Sequence, residues 1–142
     1  MQLAYRALSS RDRTVAEMRG WLERKRVAPE AIDHAVAELT GAGFLDDARF
    51  AERFAEDKRG IDQWGGERIQ RNLLRRGVPP ALVEMVVSAR DRARELEAAI
   101  AVLGESIAPP TDDRERDKAW RLLVRKGYEP ELAYAAVREH AA

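Results

Sequence analysis

Residues 73–80, LLRRGVPP, decide how this chain folds, because the same eight-residue pattern occurs twice more. It returns as LERKRVAP at 22–29 and as LVRKGYEP at 123–130, so that Pro29, Pro80 and Pro130 stand 51 and 50 residues apart. Leu22, Leu73 and Leu123 fall into register, and so do Val27, Val78 and Tyr128. The basic pairs Lys25-Arg26, Arg75-Arg76 and Arg125-Lys126 lie in the same short stretch, followed by Gly77 and Gly127 in the second and third copies. A fixed period of this length marks tandem structural repeats.

Each copy reads as three helices. In the first, Gln2 to Ser9 forms a short helix, and Thr14-Val-Ala-Glu17 is a capping box opening a second helix with Val15, Met18 and Leu22 on one face. A third helix opens at Pro29, whose ring suits a first turn, and turns Ile32, Ala35, Val36 and Leu39 inward. The second copy places Phe50 and Phe54, then Ile69, Leu73 and Leu74, then Leu82, Val83, Val86 and Val87 on the corresponding faces. The third uses Leu96, Ile100 and Leu103, then Ala119, Leu122 and Leu123, then Leu132, Ala133, Ala136 and Val137. No alternating strand pattern occurs. The expected fold is all-α: three tandem three-helix repeats over 1–45, 46–90 and 91–142, each too small to bury a core alone, stacked into an elongated or curved array. Gln63-Trp64-Gly65-Gly66 and Ala108-Pro109-Pro110-Thr111 interrupt the second and third copies and read as flexible joints, the latter ahead of the acidic cap Asp112-Asp113.

Composition excludes several function classes. The 142 residues are 35% charged yet carry no net charge, so no overall basic field concentrates nucleic acid. The absence of cysteine removes disulfides, thiolate catalysis and Cys-based zinc sites. His34 and His140 stand in no metal-ligand spacing, and no Gly-rich phosphate loop precedes a Lys-Ser or Lys-Thr pair. A non-enzymatic protein without cofactor, metal or small-molecule substrate is expected. The start, Met1-Gln-Leu-Ala-Tyr-Arg, lacks the apolar core of a secretory signal, and no stretch approaches the roughly 20 apolar residues of a membrane span, so a soluble, cytoplasmic protein is expected.

Residues 43–51, GFLDDARFA, join the first copy to the second. Gly43 suits a left-handed helix stop, and Asp46 or Asp47 can accept the unpaired N–H groups that open the next helix. Phe44, Leu45, Phe50 and Phe54 are expected to pack across this joint. Adjacent carboxylates at a helix start need no metal ion to account for them. The run also resembles, at every position, the signature G-[YF]-L-[DN]-D-x-[RK]-[FY]-A of the RecX family of bacterial recombination regulators. Ser10-Arg-Asp-Arg-Thr14 with Glu17 and Leu22 is similar to the family's R-x-[RK]-[ST]-x-x-E-[LM]-x-x-x-L segment. Gly65 through Ile69, Leu73, Arg76 and Gly77 resemble its G-x-x-x-I-x-x-x-L-x-x-[RK]-G stretch. The chain departs from the family where Arg26 replaces a common glycine, where Gly66 replaces a frequent proline or basic residue, and in the shortness of the arm before the first helix.

The resemblance implies tandem three-helix repeats from Leu3 to Val137 and a monomeric modulator of the RecA recombinase. Such a protein would bind the RecA filament on single-stranded DNA, touching the DNA weakly or indirectly, and suppress ATP hydrolysis, strand exchange and repressor cleavage in recombination and the SOS response. The candidate contact residues are Arg24, Lys25 and Arg26; Arg68, Arg71, Arg75 and Arg76; Arg125 and Lys126; and Trp120. Arginine's planar fork pairs bidentately with carboxylates and phosphates. Two readings stand side by side: basic residues compensating the dipoles of the second helices, or three spaced basic teeth facing a partner. Trp120 aligns with the polar Arg19 and Gln70, which suggests partial exposure, whereas Trp21 and Trp64 suit either a seam or an interface. The rival function is direct nucleic-acid binding through helix-turn-helix-like pairs. Against sequence-specific reading, the helices after the turns begin Pro-Glu-Ala-Ile-Asp, Pro-Ala-Leu-Val-Glu and Pro-Glu-Leu-Ala-Tyr, which are acidic or apolar.

Overall fold

The computed structural model describes residues 1–10 and 12–142; Arg11, within the Ser10–Thr14 segment, and the side chains of Ser9 and Ser10 lie outside the description. Among the described residues the regular structure is wholly helical: α1 (Gln2–Ser10), α2 (Val15–Arg24), α3 (Pro29–Gly41), α4 (Asp47–Gly60), α5 (Gly66–Arg75), α6 (Pro80–Ser88), α7 (Arg92–Ser106), α8 (Asp113–Lys126) and α9 (Pro130–Ala141). The chain divides into two compact units. Unit 1 comprises Met1–Arg53 and Asn72–Val83, and unit 2 comprises Phe54–Arg71 and Glu84–Ala142, so α4, α5 and α6 each supply residues to both.

In unit 1 the expected capping box forms. Glu17 N donates to Thr14 Oγ1 at 3.1 Å and Thr14 N donates to Glu17 Oε1 at 3.0 Å, satisfying two of the unpaired donors at the start of α2. Pro29 opens α3 after an extended Ala28. The apolar faces converge: Ala4, Ala7, Met18, Leu22, Ile32, Ala35, Val36, Leu39 and Leu45 form one buried cluster. Each large side chain so buried stabilises the unit by about 1.5–3 kcal/mol relative to exposure.

The GFLDDARFA run divides its labour. Gly43 takes φ +82° and ends the turn after α3. Asp46 Oδ1 accepts Arg49 N at 3.0 Å and caps α4. Asp47, on the same helix, turns to another: its Oδ1 accepts Val15 N at 2.9 Å, capping α2 across 32 residues of sequence. Burial pushes the Asp47 carboxyl above its ordinary range, against the hydrogen bond from Val15. Leu45 is buried, but Phe44 departs from the expected packing, lying 53% exposed with its ring edge-on to Tyr5 at 5.7 Å. Phe50 lies beneath the Arg76 guanidinium at 4.5 Å. Leu74 also departs from expectation and is exposed, since it falls off the stripe of Ile69 and Leu73, which are fully buried.

In unit 2, α7, α8 and α9 surround a cluster that includes Ala99, Leu103, Ala119, Leu123, Leu132 and Tyr128. The Tyr128 ring is fully buried and its hydroxyl donates to Gln63 O at 3.0 Å. Its phenol is pushed above the ordinary value by burial. The two loops expected to be flexible joints are instead held by specific bonds. Gly65 N donates to Lys126 O at 2.8 Å, Gly66 N to Glu95 Oε2 at 2.7 Å, and Arg90 Nη2 to Trp64 O at 3.3 Å. In the second loop Pro110 is buried and Thr111 N donates to Glu115 Oε2 at 2.9 Å. Glycine and proline announced the breaks in helix, but not what the released backbone groups would bind.

One arrangement recurs in both units. In unit 1 the residue capping α2 donates to the carbonyl just before a left-handed glycine: Thr14 Oγ1 to Arg76 O at 2.7 Å, with Gly77 at φ +85°. In unit 2 the residue before α5 does the same through its backbone: Gly65 N to Lys126 O, with Gly127 at φ +101°. The next amide is taken by a carboxylate in each unit, Asp47 for Val15 and Glu95 for Gly66. A β-carbon on Gly77 would stand 2.3 Å from Ala16 Cβ, and one on Gly127 would stand 2.2 Å from Arg68 Cβ. Glycine is therefore required at both positions for space as well as for backbone angle. The corresponding residue of the first copy, Arg26, holds the same left-handed conformation at φ +61° with a full side chain.

Three outcomes follow for urea unfolding monitored by helicity. Arg26→Gly should raise the unfolding free energy by about 1 kcal/mol, by relieving a strained backbone. Gly127→Ala should lower it by more than about 2 kcal/mol, and an unchanged midpoint would contradict the packing at this turn. Because the folded Asp47 carboxyl titrates above its unfolded value, the folded state binds the extra proton, and this group's contribution to stability falls as pH rises from about 4. Asp47→Asn keeps the acceptor for Val15 without the buried charge. It should match or exceed the native chain at neutral pH, with the difference shrinking toward pH 4; a large loss at neutral pH would show that the charge itself is needed.

Candidate functional site

The basic residues singled out by the repeat separate into two kinds once their contacts are traced. Arg76 is structural: its Nε and Nη2 donate to the two Glu17 carboxylate oxygens, both at 2.9 Å, while its guanidinium covers Phe50. Arg68 lies 4.1 Å over the Trp64 ring and donates to Arg125 O at 3.2 Å. Lys126 Nζ donates to Asp62 O at 2.9 Å. These three bind the chain to itself. Arg24, Lys25, Arg26, Arg71, Arg75 and Arg125 are exposed.

In unit 1 three of the expected residues come together. Arg24, Arg75 and Arg76, joined by Arg13, line a cleft of about 320 Å³ whose remaining wall is Ala16, Glu17, Gly20 and Gly77. α2 supplies Arg24 from its last turn, and Arg75 ends α5. The only carboxylate in the wall among the described residues, Glu17, is held by Arg76. Arg13 was not singled out by the repeat. It donates from Nε to Ala7 O at 3.0 Å and stands 5.7 Å from the Trp21 ring, which Lys25 also approaches at 5.4 Å. The available signal was position: an arginine just before the cap of α2 sits at the end of a helix where positive charge is disfavoured. Dipole compensation accounts for Arg24 and Arg75, but not for Arg13.

In unit 2 the remaining expected residues do not converge on one cleft. Arg68 covers Trp64 and bonds the Arg125 carbonyl, and the ring also meets Phe54 edge-on at 6.1 Å and Lys58 at 4.7 Å, so it is a local packing centre. Trp120 is half-buried and donates from Nε1 to Pro130 O at 3.0 Å. It lines a second cleft, of about 490 Å³, with Tyr134, Val137, Arg116, Arg138, Asp113 and Asp117. Its charges are mixed, and Arg138 already approaches the Tyr134 ring at 5.4 Å. Beneath α5, Arg90 pairs with Glu95, whose other oxygen takes Gly66 N. Arg59 donates to Val86 O and Val87 O at 3.2 Å, and burial lowers the affinity of its guanidinium for its proton. These buried groups hold the Gln63–Gly66 loop and the end of α6. Among the described residues no group of three or more His, Cys, Asp or Glu side chains could hold a metal ion, and no helix is long and apolar enough to cross a membrane.

Comparison with known proteins gives a consistent result. Residues 1–39 match the model of the first three-helix domain of RecX, and residues 46–87 match that of the second. The chain is 37% identical over 135 residues to the regulatory protein RecX of Trichlorobacter lovleyi, covering 91% of this chain and 87% of that one. It is 35% identical over 141 residues to the regulatory protein RecX of Deinococcus radiodurans, covering 97% of this chain and 66% of that one. The fold is similar to the crystal structure of RecX from Lactobacillus salivarius, with a TM-score of 0.83 at 18% identity over 96% of this chain and 90% of that one.

The division between structural and exposed arginines has a direct check. Arg76→Ala strands Glu17 in a half-buried wall and should lower stability by about 2 kcal/mol. Arg24→Ala and Arg75→Ala should each change it by no more than about 0.5 kcal/mol in the same denaturation assay.

Proposed function

We propose that this chain, which belongs to the RecX family of regulatory proteins, exerts its regulatory role by binding the filament of the RecA recombinase on single-stranded DNA and restraining its ATPase, strand-exchange and co-protease activities. The observation that carries the reading is the continuity of the family match, 37% identity across 91% of the chain, which leaves no large segment for an unrelated activity. The partition of arginines supports it: Arg24, Arg75 and Arg125 are exposed, and their guanidinium groups pair with no carboxylate among the described residues. The protein acts in this reading as a cytoplasmic monomer of three three-helix repeats, with residues 91–142 as the third.

Direct nucleic-acid binding is the weaker reading. α3 and α9 open with a proline followed by glutamate, so the helix starts that a groove-reading protein would make basic are acidic here. The net charge of zero also withholds the long-range attraction on which non-specific binding depends.

The test is titration of the purified chain into cognate RecA with single-stranded DNA and ATP, following hydrolysis and filament length. Hydrolysis should fall and filaments shorten as the chain approaches saturation of the filament. No change at saturating stoichiometry would overturn the proposal. A salt-steep shift of DNA in the absence of RecA would favour the nucleic-acid reading instead.

A further inference from the structure

We infer that the arginine cleft of unit 1 is a carboxylate receptor, in which Arg24 and Arg75 grip acidic side chains of a segment of the partner protein. The first observation is charge. Among the described residues, four guanidinium groups surround one concavity of about 320 Å³ whose wall contains a single carboxylate, and that carboxylate pairs with Arg76. Arg24 and Arg75 have no carboxylate partner among the described residues. Like charges lining one cleft repel, so the unliganded arrangement carries an electrostatic cost that an incoming anion removes.

The second observation is chemistry. The cleft already holds one carboxylate in the two-bond geometry that suits a guanidinium fork, Glu17 on Arg76 at 2.9 Å and 2.9 Å. At Gly20 the floor of the cleft carries no side chain, and Arg24 Nη1 lies 3.5 Å from where a β-carbon would stand. A carboxylate is favoured over a nucleic-acid phosphate by the rest of the molecule. Affinity for a phosphate backbone rests on many cations releasing counterions together, whereas this chain is neutral overall and offers a few cations at one point. A local cluster in a neutral surface recognises a local anion, and that is the pattern of a protein contact.

The inference rests on the reading of the chain as a RecA-binding regulator for the identity of the partner, and its test separates the two. The whole chain is titrated into labelled deca-glutamate and labelled deca-thymidylate, and into the RecA filament assay. Three forms are compared: the native chain, Arg24→Glu/Arg75→Glu, and Arg94→Glu/Arg114→Glu, which changes the net charge equally at exposed positions outside the cleft. Arg24→Gln/Arg75→Gln, with helicity measured, guards against a folding defect.

The native chain should bind deca-glutamate, and both cleft variants should lose at least about tenfold in affinity for the peptide and in potency on the filament, while the control retains both. Absence of peptide binding, equal loss in the control, or loss of deca-thymidylate binding alone through the cleft variants would overturn the carboxylate assignment. Full filament inhibition by the cleft variants would also overturn it and leave RecA binding standing. Cleft-dependent peptide binding by a native chain that does not act on the filament would uphold the receptor and reject RecA as its partner.

Discussion

The helix start that cannot satisfy its own backbone is the constraint around which this protein is assembled. The first amides of any helix need acceptors outside its own ladder; α2 meets some within its capping box, but its Val15 amide, like the first amides of α5, finds its acceptor on a later part of the chain. In each unit a carbonyl before a left-handed glycine takes one donor and a carboxylate from a following helix takes the next. The groups differ while the arrangement holds: a threonine hydroxyl in one case and a glycine amide in the other, an aspartate and then a glutamate. Small apolar clusters such as those of the two units fall well short of the core of a large domain. Directional bonds at the helix starts therefore add register, which apolar contact alone does not impose.

The same arrangement sorts the charged residues. A sequence one-third charged with no net charge could be read as a uniform solvated surface, yet its arginines fall into distinct environments. Arg76, Arg68 and Arg90 each answer a carbonyl, a carboxylate or an aromatic ring of the chain itself. Arg24 and Arg75 do not, and they face a concavity. The contrast gives the cleft its meaning, because identical residue types one position apart, Arg75 and Arg76, serve opposite purposes. The helix carries one outward while the other reaches Glu17.

Much of the fold was legible because it is written in local chemistry. The Thr14–Glu17 box, proline in the first turn of three helices and apolar spacing each act within a few residues, and the structure carries them with the exception of Leu74. What could not be read were choices made at a distance. Asp46 and Asp47 are equally good caps for α4 on paper, and only the folded chain assigns Asp47 to a helix 32 residues earlier. The Gln63–Gly66 loop has the composition of a hinge and is pinned by partners as far as 65 residues away. The cleft was half legible: the repeat pointed to Arg24, Arg75 and Arg76, whereas Arg13 lies outside the repeated motif and joins them only through the path of the chain between α1 and α2.

Arg26 gives the left-handed turn a further meaning. Where a helix start packs against the turn, glycine is obligatory, because the neighbouring β-carbon stands where a side chain would begin. The first turn carries Arg26, an exposed residue, in the same left-handed conformation. The turn itself therefore tolerates a side chain at the cost of a strained backbone at φ +61°, and it is the helix start packed on the second and third turns that makes glycine indispensable there.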